Sequence, residues 1–265
     1  MPVLLSWNVA GRVRSAPDQA AVASGFGADV LALQEVRASA LPTWREALAS
    51  AGYAHVHAAC LPDGGRGAPE RRLGVLLAAR EPLEPLGGPA VPWPERHACA
   101  MTTAFGEVHV LHAPISSKAE RAKVRTLEAV TADLRRPRPH PVVLCGDLNT
   151  PSYETREGEV RSFARTRTGR LREGFDQRHD DAELGIVVGL RDAGYVDAFR
   201  LLHGYGRRDR SWVFPHGRGG WRLDHVLARG LEVLACEYEH RWREAGLSDH
   251  SAVWAELRSP PRDRS

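Results

Sequence analysis

Apolar residues run along this chain in short blocks that stop on polar ones. VLLSWNV at 3–9 reads as a buried strand reaching Asn8, and DVLALQEV at 29–36 as a second carrying Gln34 and Glu35 near its end. Apolar runs of this length fit strands covered on both faces. AHVHAA at 54–59 and LGVLLAA at 73–79 are shorter strands. CAMTTAF at 99–105 and EVHVLHA at 107–113 alternate on either side of Gly106 and predict a hairpin that carries His112 to its end. VVLCGDLN at 142–149 is a strand that stops at Asp147 and Asn149, and Thr150-Pro151 then turns the chain away. Further strands are predicted at 210–215, 221–228, 231–239 and 251–257.

Helical spacing is clearest at 116–136, where Ser116 or Ser117 supplies an N-cap and the proline-rich PRPHP ends the helix. Weaker helical patterns cover 18–26, 41–51 with Gly52 as a stop, and 183–192. Residues 153–181 are polar and arginine-rich with weak periodicity, which predicts a long loop with a helical turn. A loop of that length inside a compact domain carries function or moves. Strands and helices interleave in both halves, with no repeat and no linker. That favours one α/β domain over 1–258, a site along one edge of its sheets, and a frayed tail at 259–265.

Composition changes this picture only a little. Hydrophobic residues make up 43% and charged residues 26%, as in soluble globular proteins. No apolar run approaches membrane-spanning length, and MPVLLSWNVAG lacks a basic leader. The expectation is a cytoplasmic monomer with no membrane partner. Cys60, Cys99, Cys145 and Cys236 are scattered with no CxxC pair, which points to packed, reduced thiols. The net charge is +3, and Lys118 and Lys123 are the only lysines, so nearly all positive charge is arginine. Guanidinium groups suit phosphate, although a coding bias toward arginine produces the same count, and charge alone names no partner.

Taken singly, each polar strand end has a plain explanation. An Asp or Asn after a strand caps a turn, and one histidine at a strand end is usually a satisfied structural residue. Taken together, Asn8, Glu35, His112, Asp147, Asn149, Asp224, Asp249 and His250 supply carboxylates, amides and two histidines, all entered from apolar segments. Buried charges must be paired or bind a metal.

LQE at 33–35, GDLN at 146–149, WRLDHVL at 221–227 and SDH at 248–250 stand in the order seen in the endonuclease/exonuclease/phosphatase superfamily. SWN at 6–8 resembles its first motif and RLGVLL at 72–77 its RxG strand. The resemblance covers almost the whole chain. It implies a DNase I-like α/β (α+β) four-layer sandwich, two packed mixed β-sheets flanked by helices, and phosphoester hydrolysis with Mg²⁺, or Mn²⁺ as an alternative. It also implies roles. Glu35 is the principal metal ligand with Asn8 beside it, and Asp249 serves the same metal region or a second ion. Asp147 orients or activates the attacking water, and Asn149 binds a phosphate oxygen. His250 contacts the scissile phosphate or serves in acid–base chemistry, with Asp224 as its partner. His112 matches the second histidine of the DNase I-like and phosphatase branches. Arg72 is a phosphate contact, unless Gly74 is what matters in that motif. His225 alternates away from Asp224 and reads as structural.

Two branches of the superfamily are mixed here. The last third resembles the exonuclease III-type apurinic endonucleases, which implies that Trp221 lines a pocket for an extruded abasic sugar, with Trp212 in a nearby segment. Core packing explains both tryptophans equally well. In HAPIS at 112–116, however, His112 stands where those enzymes carry tyrosine and Ile115 where they carry asparagine. Arg156, Arg161, Arg165, Arg167, Arg170 and Arg172 follow GDLN and suit a nucleic-acid backbone, a phosphorylated small molecule, or solvent. The leading expectation is a Mg²⁺-dependent nuclease acting on DNA. Its rivals are a phosphatase or phosphodiesterase of nucleotides, sugar phosphates or inositol phosphates, and a catalytically silent binding module.

Overall fold

In the computed structural model, which describes residues 1–60, 72–115, 121–215 and 219–260, the apolar blocks become strands covered on both faces. One sheet contains β1 (Val3–Asn8), β2 (Val30–Val36), β3 (His55–Ala59) and β4 (Gly74–Ala79) with the last two strands, β15 (Glu232–Glu239) and β16 (Ala252–Arg258), in the order β15-β16-β1-β2-β4-β3. The other contains β5 (Leu83–Leu86), β6 (His97–Thr102), β7 (Gly106–His112), β8 (Val142–Asp147), β11 (Val196–Asp197) and β14 (Asp224–Arg229), in the order β11-β14-β8-β7-β6-β5. Both are mixed: β1 runs parallel to β2 and β7 parallel to β8, while their remaining neighbours are antiparallel. Two ribbons, β9 (Tyr153–Glu154) with β10 (Val160–Arg161) and β12 (Trp212–Val213) with β13 (Gly220–Trp221), stand outside the sheets.

Alternate residues of each strand serve different layers. Leu4, Ala32, Val75, Val108, Val143 and Val226 fill the space between the sheets. Leu5, Leu31, Leu33 and Leu76 pack with Ala20 and Ala23 of α1 (Ala16–Gly25) and Trp44 and Leu48 of α2 (Leu41–Ser50). Leu111, Leu144 and Leu227 pack with Leu127 and Val130 of α3 (Ala122–Leu134) and Ile186 of α4 (Gln177–Val187). The layers are therefore helix, sheet, sheet, helix, the DNase I-like sandwich expected from the sequence. Fully burying one such leucine stabilises the fold by about 1.5–3 kcal/mol, so the double-sided strands carry much of its stability.

The structure departs from the sequence expectation where inward-facing residues are polar. Helix α4 starts at Gln177 rather than near 183, capped by Asp176, whose carboxylate accepts the His179 N–H at 3.1 Å. Two of its buried residues are Asp180 and Glu183, so the apolar periodicity that signals a helix is missing. Residues 153–176 are not a featureless loop either, since they hold β9, β10 and an antiparallel bridge between Arg165 and Leu171. WRLDHVLA splits, with Trp221 in the β13 ribbon and Asp224 opening β14. Helix α5 (Ala198–His203), capped by Asp197, and strand β5 were not expected. The predicted caps Ser116 and Ser117, and the end of the tail from 261, lie outside the described residues.

Candidate active site

Pairing register sets three side chains level across one sheet. His112 pairs with Asp147 between β7 and β8, and Asp224 pairs with Asp147 between β14 and β8. From the facing sheet come Asn8, at the end of β1, and Glu35, near the end of β2. The β2–β4 register shifts between Gln34 and Val36, leaving Glu35 bulged with φ +59°. A non-glycine residue there stores about 1–3 kcal/mol of strain, which the surrounding pairing holds in place. Its neighbour Gln34 is buried and donates to Ser6 Oγ at 3.0 Å, away from this centre. His250 precedes β16. Trp7 Nε1 donates to its carbonyl at 3.1 Å, and its own N–H donates at 3.1 Å to Ser248 Oγ, which donates to the Asn8 carbonyl at 2.6 Å.

These groups meet at one end of the sandwich. The Asn8 amide nitrogen donates to Glu35 Oε1 at 3.1 Å and to Asp147 Oδ2 at 3.0 Å, while its Oδ1 accepts the Ala10 N–H at 2.9 Å. Asn8 therefore holds two carboxylates with its nitrogen, while its oxygen accepts one backbone N–H. His112 Nε2 lies 3.3 Å from Glu35 Oε1 and 3.9 Å from Asp147 Oδ2. His250 Nε2 lies 3.8 Å from Asp147 Oδ2, and its Nδ1 donates to Asp224 Oδ2 at 2.8 Å, which fixes the ring as a metal ligand's or catalytic histidine's carboxylate partner does. Asn149 reaches the cluster by a turn rather than by strand alternation. It sits at φ +50° beyond β8, its N–H donates to Asp147 Oδ1 at 2.9 Å, and its amide donates to the Ala113 carbonyl at 2.8 Å.

Burial and crowding tune the charges. Desolvation, helped by the Asp224 and Glu35 carboxylates, pushes Asp147 up to about 7 against the pull of His250. Burial also raises Glu35, opposed by the Asn8 hydrogen bond and His250. Burial disfavours charge on His250, but Asp224 and Asp147 outweigh it and lift its pKa to about 10. His112 goes the other way, held far below its usual value by burial and by the positive charges of Arg96 and His250. The result is one charged and one neutral histidine on either side of Asp147.

Over this floor lies a cavity of about 460 Å³. Trp212 and Trp221, partners in the β12–β13 ribbon, stack at 5.2 Å with an interplanar angle of 11° and form part of its wall. Phe163 packs on Trp221 at 5.1 Å, and Leu223, Phe175 and the exposed Ile115 complete the apolar lining. Both tryptophans are half-buried cavity walls rather than core. Asp249 lines the same cavity, its carboxylate held by Trp212 Nε1 at 3.1 Å. Arg72 is not part of the lining. His225 is buried and donates to the Thr150 carbonyl at 2.8 Å, the structural role expected of it.

Sequence reasoning missed two cations here. Arg96 Nη1 sits 3.1 and 3.2 Å from the two ring nitrogens of His112. Lys123 donates to the Asn149 carbonyl and to Glu183, both at 2.7 Å, and Glu183 in turn accepts from Thr150 and the Phe163 N–H. That pair clamps the turn after β8 to α3 and α4. Arg96 lies in VPWPERH, which carries no motif; Lys123 had only its rarity to mark it.

The donor set fits a divalent cation. Ligand atoms of Glu35, His112 and Asp147 lie within 4.8 Å of one another, as do those of Asp147, Asp224 and His250. Asp224 Oδ1 is buried with no hydrogen-bond partner among the described residues, and two of the carboxylates are destabilised as anions, which a cation would relieve. Asp249 belongs to neither group. A two-sheet sandwich with this cluster at one end is the architecture of a metal-dependent phosphoester hydrolase. Residues 5–250 match the Endonuclease/Exonuclease/phosphatase family, and the chain belongs to it. The fold is similar to an AP endonuclease from Archaeoglobus fulgidus (21% identity, 97% of this chain and 99% of that one, TM-score 0.74). It is also similar to a 3'-5' exonuclease from Neisseria meningitidis (19%, 97% and 99%, 0.72) and to a Neisseria 3' phosphatase bound to product DNA hairpin (20%, 97% and 99%, 0.65). No curated protein sequence matches the chain.

Proposed function

We propose that this protein is a Mg²⁺-dependent nuclease that hydrolyses phosphodiester bonds in DNA, with Mn²⁺ as the alternative ion. The observation that carries the reading is the junction of a carboxylate–histidine floor with an aromatic wall in one cavity. A phosphate rests on the floor while the adjoining sugar or base lies against Trp212 and Trp221, the arrangement that extruded or unpaired nucleotides require. The named activities of two similar structures, an AP endonuclease and a 3'-5' exonuclease, agree with it, and the third, a 3' phosphatase, is bound to DNA.

Glu35, with Asp147 in reach, would hold the cation, which would supply positive charge against the phosphate. Asp147, poised near neutrality, positions the attacking water and accepts its proton as the new P–O bond forms and the P–O bond to the leaving oxygen breaks, that oxygen taking a proton from solvent. Asn8 keeps Asp147 and Glu35 apart and oriented through its two N–H bonds. His250, kept charged by Asp224, donates from Nε2 to a phosphate oxygen. Asn149 takes a second phosphate oxygen, and Asp249 holds the Trp212 side of the wall. His112, neutral and braced by Arg96, faces the leaving oxygen.

A second reading, hydrolysis of a phosphorylated small molecule, is favoured by His112 and Ile115, which replace the tyrosine and asparagine of the apurinic enzymes. Incubation with Mg²⁺, Mn²⁺ or EDTA and plasmid DNA, an abasic duplex, RNA, nucleotides and sugar phosphates separates the two. Metal-dependent DNA cleavage is expected. Turnover confined to small molecules overturns the nuclease reading, and DNA retention without any hydrolysis overturns both.

A further inference from the structure

Behind the aromatic wall lies a second cavity of about 460 Å³ that shares Phe163, Arg172 and Trp221 with the first. Seven arginines line it, against two carboxylates, those of Glu154 and Asp209. The deep arginines are already answered. Glu154 accepts from Arg200 at 2.6 Å and from Arg222 at 2.9 Å, Asp197 accepts from Arg222 at 2.7 Å, and Asp180 accepts from Arg165 at 2.7 Å. The Asp209 carboxylate lies 2.9 Å from Arg207, which is not part of the lining. Arg167, Arg172, Arg208 and Arg210 are left, all exposed and none paired with a carboxylate among the described residues. Arg222, 5% exposed, keeps Nη1 without a hydrogen-bond partner. Tyr153, Tyr205 and Phe214 interleave with these cations.

Guanidinium groups without a carboxylate partner, of which Arg172 donates to the Arg165 carbonyl and Arg167 lies over the Tyr153 ring, suit an anion carried on a flat ring. The volume lies in the range of clefts that enclose a ligand of that size. A phosphomonoester held on the catalytic floor has no use for a second group of arginines across the tryptophan wall; a polymer with phosphates on both sides of the scissile bond does. Base faces are free for stacking only when the base is unpaired. We infer that this cavity binds the unpaired nucleotide adjoining the scissile phosphate, its base among the aromatic rings and its phosphate on Arg167, Arg172, Arg208 and Arg210. The inference rests on the nucleic-acid reading above and narrows the substrate to strands with an unpaired segment next to the cut.

The test uses the full-length protein in EDTA, so that nothing is hydrolysed, with tryptophan fluorescence as the readout. Wild type and Arg167→Ala/Arg208→Ala are titrated with a short single-stranded oligonucleotide, a blunt duplex, a deoxynucleoside 5′-monophosphate and inorganic phosphate. The variant binds the single strand about tenfold more weakly or worse, and its log K against log[salt] slope is shallower by about 1.4 for two lost contacts. The duplex shows little of this difference, and the nucleotide binds wild type more tightly than phosphate does. Equal strand affinity and slope in both proteins, with DNA cleaved once Mg²⁺ is added, overturns the cavity's role alone. Phosphate binding as well as the nucleotide overturns the base-stacking part and makes the cavity a bare anion site. Nucleotide binding with no binding or cleavage of any strand overturns the nucleic-acid reading itself.

Discussion

Two carboxylate–histidine clusters lie at opposite ends of the same sheet. At one end of β7, His112 meets Glu35 and Asp147; at the other, Glu107 meets His109 and Asp133, with ligand atoms again within 4.8 Å of one another. The five residue steps from Glu107 to His112 span roughly 17 Å of strand. Residue types alone do not separate the two groups. What separates them is how the acceptors are satisfied. Glu107 accepts from His109 and Arg138 at 2.7 Å and from His140 at 2.8 Å, and Arg138 also binds Asp133 at 2.7 Å. Burial alone would raise Glu107, but these three bonds hold it well below the usual carboxylate range. An arginine occupies the place a cation would take, so this cluster is structural. At the open end no guanidinium reaches Asp147 or Asp224 among the described residues, burial keeps Asp147 strained as an anion, Asp224 Oδ1 has no hydrogen-bond partner, and a cavity opens onto Asp147.

This contrast can be broken most strongly at the open end. Glu35→Gln and His250→Ala should each cut metal-dependent turnover by about a thousandfold or more, in line with loss of a charge-stabilising or acid–base group. Circular dichroism should show a folded protein throughout. Retained turnover in both variants would mean that the chemistry lies elsewhere. At the closed end the expected damage is to stability. Arg138→Met removes the guanidinium that two buried carboxylates share and should lower the unfolding free energy by about 3 kcal/mol, while kcat of the folded protein stays as in wild type. Urea unfolding and steady-state kinetics on one preparation check both halves.

Acid should sharpen the same contrast. Because the folded-state pKa of Glu107 is depressed, its contribution is fully present above its unfolded value of 4.5 and is lost as pH falls below that. The stability gap between wild type and Glu107→Gln should therefore be constant near neutrality and narrow below pH 4.5; a gap that widens in acid contradicts the assignment. The smallest effect is expected at Asp147. Removing its charge in Asp147→Asn should raise metal-free stability at pH 8 by about 1 kcal/mol, since the crowded anion is what strains the fold there. Added Mg²⁺ should raise the wild-type Tm and leave that of Glu35→Gln nearly unmoved. Scanning calorimetry with and without EDTA reads both shifts.

Much of the catalytic end was legible because strands announce their own ends. Asn8, Glu35, His112, Asp147 and His250 each close or open an apolar block, and that change in polarity is visible in one dimension. Arg96 and Lys123 were not legible, because nothing in their local sequence records which ring or carbonyl they touch across gaps of 16 and 26 residues. The start of α4 was hidden by Asp180 and Glu183, buried polar residues whose partners Ser162, Arg165, Lys123 and Thr150 come from other segments. The roles of Trp212 and Trp221 were equally undecided, since a ring that stacks in a core and one that walls a cavity look alike in sequence.

The order of apolar blocks by itself determined the double-sided strands and the set of polar strand ends, because periodicity and burial are local properties of a segment. Only the tertiary structure decided which carboxylates stay open and which are closed by an arginine, and which arginines are left to meet a ligand. Those outcomes depend on distances between segments far apart along the chain, and it is the folded pairing register that sets them.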